Sequence, residues 1–355
     1  MKQLMLGNAA VARGLYEAGC CVISSYPGTP STEITEEAAK FDDIYCEWAP
    51  NEKVAMEVAF GASLAGKRSF CAMKHVGLNV AADPLFTVAY TGVNAGMVIA
   101  VADDPGMHSS QNEQDSRHYA IAAKLPMLEP ADSAEALAFT RRAYEISEEF
   151  DPPVILKMCT RVAHSQSIVE TSPRTEGPER PYEKNIAKYV MMPGNAIRRH
   201  PVVEDRMRRL AQYAETCDLN RVEMGDTKLG IITSSTSYQY VKEVFGEEAS
   251  VLKLGMVHPM PEGLIRDFAA KVDRLVVVEE LDPRGEVREE DKAFLADFYK
   301  YAFVGLVLDW IRTGMKGEPA ELARRVELVV SGNFAQALER LRADSAHQAG
   351  PFDQN

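Results

Sequence analysis

Hydrophobic positions follow two different patterns along residues 1–168. Stripes at helical spacing, such as Val11, Ala12 and Leu15, alternate with continuous apolar runs such as residues 96–102. Continuous runs are typical of strands that are buried on both faces of a parallel sheet. The alternation predicts a doubly wound parallel α/β domain over residues 1–168. Its predicted helices cover residues 8–19, 32–40, 52–65, 78–91 and 131–150, and its predicted strands cover residues 20–25, 41–48, 68–73, 96–102 and 153–158.

The regular pattern stops after residue 168. Prolines and charged residues dominate residues 169–226, which predicts a connecting arm with one amphipathic helix over residues 202–217. Periodic structure then resumes and predicts a second, smaller α/β domain over residues 227–342, with helices at its end. Residues 343–355 are predicted to be a disordered tail. The second domain's first predicted elements are strands over residues 229–233, 249–254 and 274–279 and helices over residues 237–245 and 261–270.

Composition and charge narrow the classes of function. Of the 355 residues, 46% are hydrophobic and 26% are charged, which is ordinary for a globular protein. The net charge of −13 argues against nucleic acid or an anionic membrane as partner. No apolar run approaches the ~18 residues of a membrane-spanning helix, and the first residues lack the features of a signal peptide, so we expect a cytoplasmic protein. The six cysteines form no C-x-x-C pair, and the sequence predicts no metal-ligating residues.

The segment around Glu52 holds the strongest candidate for chemistry. Asn51 is suited to cap the predicted helix, and Glu52 falls in its first turn. Glu57 is the other candidate carboxylate, but it has left the first turn and points in a different direction. The helix is rich in small residues such as Gly61, which allow close approach of another backbone. We therefore expect a homodimer that forms through this helix and the predicted helix over residues 78–91.

Four segments of the amino-terminal part carry long motifs, namely YPGTPSTEI at residues 26–34, NEKVAMEVAFGAS at 51–63, MKHVGLNVAADP at 73–84 and DDPGMHSSQNEQDSRHYA at 103–120. Together they resemble the pyrimidine-binding domain of the thiamine-diphosphate-dependent 2-oxoacid:ferredoxin oxidoreductases. The resemblance is greatest to the alpha subunits of indolepyruvate ferredoxin oxidoreductases. It implies a thiamine-diphosphate pyrimidine-binding type of sheet, followed by an α/β domain like the carboxyl-terminal domain of transketolase.

The resemblance implies roles for individual side chains. In that family a carboxylate shares a proton with the cofactor's pyrimidine ring, which stabilises the imino tautomer that deprotonates the thiazolium carbon, and Glu52 stands at the matching position. The other implied cofactor contacts are Val76, Gly77 and Asn79. The residues implied to bind the 2-oxoacid substrate are Thr29, Lys74, His75, Ser109, Ser110, Gln111 and Arg117.

Each of these roles has a simpler alternative. Glu52 is alternatively a solvated glutamate at a helix start, and Thr29 is alternatively a turn residue that hydrogen-bonds its own backbone. Lys74 and His75 are alternatively polar residues at a strand end. Gly28 stands where the related pyruvate enzymes carry a bulkier residue, which is consistent with a larger substrate such as an arylpyruvate.

The resemblance also indicates a missing part. Relatives bind the cofactor's diphosphate through a metal on another domain, whose motif is Gly-Asp-Gly followed by Asn, and the nearest approach here is Gly225-Asp226-Thr227. We therefore expect thiamine diphosphate to be shared with a missing domain or partner chain, which also carries Mg²⁺ and iron-sulfur clusters. The implied reaction is oxidative decarboxylation of indolepyruvate or another arylpyruvate to an acyl-coenzyme A, with a beta subunit and ferredoxin as partners. This chain alone is expected to be inactive. The alternative is a non-catalytic interaction or regulatory subunit that keeps the fold.

Overall fold

Helices and strands alternate along the chain, as the hydrophobic pattern predicts. The computed structural model describes residues 1–281, so the helices predicted up to residue 342 and the tail over residues 343–355 lie outside the described residues. The strands are β1 (Lys2–Leu6), β2 (Val22–Ser25), β3 (Tyr45–Trp48), β4 (Ser69–Lys74), β5 (Met97–Asp103), β6 (Met127–Leu128), β7 (Val154–Cys159), β8 (Gln166–Glu170), β9 (Arg221–Glu223), β10 (Gly230–Ser234), β11 (Ser250–Leu254), β12 (Met256–His258) and β13 (Leu275–Val278). The helices are α1 (Gly7–Glu17), α2 (Thr32–Ala38), α3 (Glu52–Leu64), α4 (His75–Val80), α5 (Ala82–Thr91), α6 (Arg117–Ala123), α7 (Ser133–Phe150), α8 (Thr160–His164), α9 (Ile186–Tyr189), α10 (Pro193–Thr216), α11 (Ser237–Phe245) and α12 (Glu262–Ala269).

The central sheet has seven strands in the order β12-β6-β7-β5-β4-β2-β3. All neighbours in it are parallel except β12, which is antiparallel to β6. Every residue of β4, β5 and β7 is buried, which explains why their sequences are continuous rather than alternating apolar runs. Helices α1 and α7 cover one face, and α3 and α5 cover the other, so the sheet is doubly wound.

Two predicted helices differ from the observed ones, and short observed helices such as α6 were not predicted. The predicted helix over residues 78–91 is two helices, α4 and α5, and α4 begins directly after Lys74, three residues before the predicted start. Helix α10 begins nine residues earlier than predicted, with Pro193 in its first turn, where the missing amide donor of proline costs nothing. It also accommodates Pro201 in its interior. The short helix α6 had no clear signal in the hydrophobic pattern.

A second sheet has the strand order β13-β10-β11-β9, in which β10 is parallel to β11 and β13, and β9 is antiparallel to β11. Apolar side chains of this sheet, such as Ile232 and Leu252, pack in the same buried cluster as Met73 and Ile99 of the central sheet. Strand β12, from the predicted second domain, pairs with β6 of the central sheet. The two regions therefore share hydrophobic core and one ladder of hydrogen bonds.

The arm crosses the amino-terminal ends of the central strands. Asn94, which precedes β5, donates through Nδ2 to the Arg180 carbonyl at 3.3 Å. A side chain at Gly66, which has φ +87°, would lie 2.9 Å from the Arg180 carbonyl carbon and would overlap its oxygen. Gly19 is likewise covered by the arm at Thr175 and Gly177. These close approaches explain why glycine occupies both positions.

Candidate active site at the carboxyl edge of the sheet

Four neighbouring parallel strands, β2, β4, β5 and β7, end along one edge of the central sheet. Their last residues are Ser25, Lys74, Asp103 and Cys159, and Asp103 lies beside Cys159 in the ladder. Ligands of doubly wound sheets bind outside the carboxyl ends of the strands. We call this region the carboxyl edge.

Glu52 lies at the start of α3 and contacts α4. The Asn51 side chain caps α3 by accepting a hydrogen bond from the Val54 amide at 3.0 Å. A methyl group at Gly77 would lie 2.7 Å from Glu52 Cγ and 2.8 Å from Cδ, and it would also overlap Oε1. The Glu52 carboxylate therefore rests directly on the Gly77 backbone, and only glycine leaves it room. Glu57, in contrast, is an exposed residue further along the helix.

The turn over residues 26–32 presents Thr29 to solvent. The Thr29 side chain is exposed, and no hydrogen bond to its hydroxyl is found among residues 1–281. Asn8 of α1 stabilises this turn. It is 1% exposed and donates through Nδ2 to the Pro30 carbonyl at 2.7 Å and to Glu33 Oε2 at 3.0 Å. Sequence reasoning missed Asn8, because it placed that residue in the first helix without a polar partner.

Lys74 and His75 both contact the loop that follows β5. Lys74 is 8% exposed and donates through Nζ to the Ser109 carbonyl at 2.7 Å. His75 Nε2 lies 3.0 Å from the Asn112 carbonyl, and because a carbonyl only accepts, Nε2 carries the proton. His75 Nδ1 is buried and has no partner in the described part of the chain. Gly28 packs against Lys74, since an added Cβ would lie 3.2 Å from Lys74 Cβ. Close packing therefore explains a glycine at this position independently of the size of the substrate.

The remaining predicted residues, apart from one, lie on the same edge. Gly77 is buried, Val76 is half-buried, and Asn79 is exposed and accepts a hydrogen bond from the Tyr119 hydroxyl at 2.6 Å. In the loop after β5, residues 106–109 and 111–113 are exposed, and Ser110, Gln114 and Asp115 are half-buried. The predicted residues Ser109 and Gln111 are among the exposed ones.

Arg117 is the exception, because it lies between the two sheets. Its guanidinium donates to Glu129 Oε1 at 2.5 Å, to Glu279 Oε2 at 2.7 Å and to Ser234 Oγ at 3.1 Å. Glu129 is fully buried; burial favours its neutral form, but the charges of Lys157 and Arg117 dominate and lower its pKa to about 2. The structure therefore ties the Arg117 guanidinium both to Glu129, which directly follows β6 of the central sheet, and to Ser234 and Glu279 at the ends of strands of the second sheet.

Two acceptors at the carboxyl edge are candidates for contact with a ligand. A carboxylate held against a backbone glycine offers one directed acceptor, and the buried imidazole nitrogen of His75 leaves a second polar atom without a partner. No group of three or more His, Cys, Asp or Glu side chains that could hold a metal ion occurs within residues 1–281. Within the same residues, no helix is both long and apolar enough to cross a membrane.

Fold and site together define a doubly wound α/β protein with a carboxylate, that of Glu52, at a helix start beside the carboxyl edge of its sheet. The family profile described as "Pyruvate flavodoxin/ferredoxin oxidoreductase, thiamine diP-bdg" matches residues 13–224. The chain belongs to this family. A second profile, a transcriptional regulator C-terminal region, matches residues 271–332, most of which lie outside the described residues.

Individual relatives agree with this assignment. "Indolepyruvate oxidoreductase subunit IorA" of Archaeoglobus fulgidus is 44% identical over 79% of this chain and 47% of its own length. The chain thus spans about half the length of such curated relatives. "2-oxoglutarate synthase subunit KorA" of the same organism is 26% identical over 82% of this chain and 91% of its own length.

One solved structure shows the same fold. The 2-oxoglutarate:ferredoxin oxidoreductase from Magnetococcus marinus, solved with 2-oxoglutarate, coenzyme A and succinyl-CoA bound, superposes with a TM-score of 0.65 at 20% identity. The superposition covers 82% of this chain and 60% of that one. The predicted fold class and family resemblance are confirmed by the profile, the relatives and this superposition.

Proposed function

We propose that this chain is the pyrimidine-binding component of a thiamine-diphosphate-dependent 2-oxoacid:ferredoxin oxidoreductase that acts on indolepyruvate or another arylpyruvate. The observation that carries the proposal is the contact between the Glu52 carboxylate and the Gly77 backbone at the carboxyl edge. Relatives of indolepyruvate specificity, at 44% and 47% identity, support the choice of substrate class.

Five residues of the carboxyl edge have a defined task in this proposal. Glu52 accepts and returns a proton at the cofactor's pyrimidine ring, and the backbone of Val76 and Gly77, with Asn79 beside it, lines the ring. The exposed Thr29 hydroxyl donates to the substrate carboxylate. When bound, thiamine diphosphate supplies the carbon nucleophile that decarboxylation of a 2-oxoacid requires.

The proposal assigns the diphosphate site to another domain or chain. The curated indolepyruvate relatives are about twice as long as the matched region, which leaves room for such a domain. The match to the KorA relative, by contrast, covers 91% of that relative's length, and the relative is named a subunit. A chain that consists almost entirely of the matched region therefore occurs as a separate subunit. That other domain or chain would carry Mg²⁺ and iron-sulfur clusters, and a beta subunit, coenzyme A and ferredoxin would complete the reaction in the cytoplasm. On this proposal the chain alone has no turnover.

A homodimer is part of the proposal. Val80 of α4 and Phe86 of α5 are 49% and 39% exposed, and the surface of α3 beside them carries Gly61, around which no atom lies within 4 Å of an added Cβ. An exposed apolar and small-residue surface of this kind is suited to pack against a second copy. The proposed domain boundaries remain residues 1–168, 169–226 and 227–342.

The test is calorimetric titration of thiamine diphosphate and Mg²⁺ into the chain, first alone and then with a candidate diphosphate-binding chain. We expect binding and arylpyruvate oxidation only in the mixture, and loss of turnover by roughly 10²-fold or more in Glu52→Gln, because a positioned acid-base group contributes that much. Glu57→Gln on the exposed face of α3 is the matched control and should retain turnover. Tight binding by the chain alone would contradict the assignment of the diphosphate site, and absence of binding with every partner would favour a non-catalytic subunit.

A further inference from the structure

Asp104 is a buried carboxylate at the carboxyl edge that the sequence analysis did not select. It directly follows β5 and is 1% exposed. Its Oδ2 accepts hydrogen bonds from the Ser110 hydroxyl at 2.5 Å and the Ser109 amide at 2.8 Å, and its Oδ1 accepts one from the Thr160 hydroxyl at 2.9 Å. Burial by itself raises the pKa of Asp104, but these hydrogen bonds and the charge of Lys74 outweigh it and hold the pKa below its usual range. Asp104 is therefore an ionised acceptor.

Lys74 holds the same loop from the neighbouring strand. Its Nζ lies 3.9 Å from Asp104 Oδ2 and donates to the Ser109 carbonyl at 2.7 Å. His75 holds the next part of the loop through the Asn112 carbonyl. Side chains at the ends of β4 and β5 thus fix the segment over residues 109–112 by its backbone. The ammonium group of Lys74 thus donates to the Ser109 carbonyl and, at 3.3 Å, to the Ser109 hydroxyl, and it is paired with the Asp104 carboxylate.

We propose that Asp104 is a positioning residue, which together with Lys74 holds residues 109–112 as a preformed wall of the substrate site. Lys74 then acts through this loop instead of binding the substrate carboxylate directly, which leaves that contact to an unpaired donor such as the Thr29 hydroxyl. The ordering of the loop is independent of the proposed function, whereas the effect on substrate use rests on it.

The change Asp104→Asn isolates the role of the charge. The amide has nearly the same shape, but one acceptor oxygen becomes a donor, so the Ser110 hydroxyl, the Ser109 amide and the Thr160 hydroxyl cannot all keep their bonds. Lys74 also loses its counter-charge. The loop is then held by the Lys74 and His75 contacts to backbone carbonyls and by neutral hydrogen bonds to the new amide, which are weaker than bonds to a carboxylate.

Hydrogen exchange of the purified chain measures this loss directly. In Asp104→Asn we expect amides over residues 105–115 to exchange ~10-fold faster than in the wild type, and Lys74 to react faster with an amine-labelling reagent. Thr160→Val is the matched control, since it removes a hydrogen bond from the same carboxylate but leaves the loop contacts in place, and its exchange should stay close to wild type. Unchanged exchange and labelling in Asp104→Asn would overturn the proposal. If that variant fails to fold, Ser110→Ala replaces it, and unchanged exchange there is equally decisive.

Kinetics of the assembled enzyme separate positioning from general destabilisation. Asp104→Asn should raise KM for the 2-oxoacid by ~10-fold with a smaller change in kcat and an unchanged Kd for thiamine diphosphate, because the cofactor contacts of α3 and α4 are intact. A matching loss of cofactor affinity would overturn the positioning role. If the wild-type assembly itself shows no turnover, the proposed function fails, and the exchange experiment alone decides the role of Asp104.

Discussion

Replacement of Gly77 by alanine tests the contact on which the proposed function depends. Gly77 is a buried residue of α4, and the added methyl group would lie 2.7 Å from Glu52 Cγ and 2.8 Å from Cδ. Those atoms belong to the end of a flexible side chain, not to backbone. The Glu52 carboxylate should therefore rotate away from Gly77 while α3 and α4 stay in place.

The expected cost in stability is small. Alanine in a helix interior is favoured over glycine by about 0.5–1 kcal/mol. Moving Glu52 off its preferred rotamer costs about 0.5–1.5 kcal/mol. The two effects nearly cancel, so the free energy of unfolding should change by less than about 1 kcal/mol. Activity should fall much further, by roughly 10²-fold or more, because a displaced carboxylate no longer reaches the pyrimidine ring.

Thermal melts and steady-state turnover of the assembled enzyme measure the two quantities separately. Gly194→Ala in α10 is the matched control, because nothing lies within 4 Å of the added methyl group and the helix is far from the carboxyl edge in sequence. The control should retain both stability and turnover. Gly77→Ala with near-normal turnover would refute the reasoning about Glu52, and a loss of several kcal/mol in stability would refute the assumption that Glu52 moves freely.

Two further predictions concern the buried charges and the exposed helix surface. Glu129 has its pKa lowered from 4.5 to about 2, so its contribution to stability is present above pH 4.5 and is lost as the pH falls towards 2. Glu129→Gln should therefore flatten the fall in melting temperature over that range; equal slopes for variant and wild type would argue against it. Gly61→Leu should convert the proposed homodimer to a monomer in sedimentation velocity, because the bulky side chain projects from the α3 surface into the interface. A dimer of unchanged affinity would place the interface elsewhere.

Elements with strong local signals were predicted well from the sequence. The cap at Asn51 marks the start of α3, and Gly66, at φ +87°, marks its end. The apolar run of β5 was predicted within one residue at each end. Elements that depend on distant partners were missed: β1 pairs with β8 across more than 150 residues, and β6 has only two residues. Pairing between distant segments, and strands of two residues, cannot be predicted from the local spacing of hydrophobic residues.

Most of the predicted site residues come together, because they follow parallel strands that end at one edge. Glu52, Gly77 and Lys74 lie there as the sequence led us to expect. Arg117 lies between the sheets because three acceptors, including Glu279 from the second sheet, surround its guanidinium. Asp104 went unselected because it stands next to another aspartate, and only the fold shows that the loop's donors converge on it.

The sequence by itself determined the alternation of helices and strands and the Asn51 cap that begins α3. Each of these follows from short-range chemistry, namely hydrophobic period, capping side chains and glycine at positive φ. The tertiary structure decided which polar side chains are paired with other residues of the chain and which are left available to a ligand. In the folded chain the Glu52 carboxylate contacts Gly77, and Lys74 donates a hydrogen bond to the Ser109 carbonyl. Arg117 donates a hydrogen bond to Glu279, beside the second sheet. The physical reason is that a charged side chain takes the nearest complementary partner, and that partner is set by the packing of residues far apart in the chain.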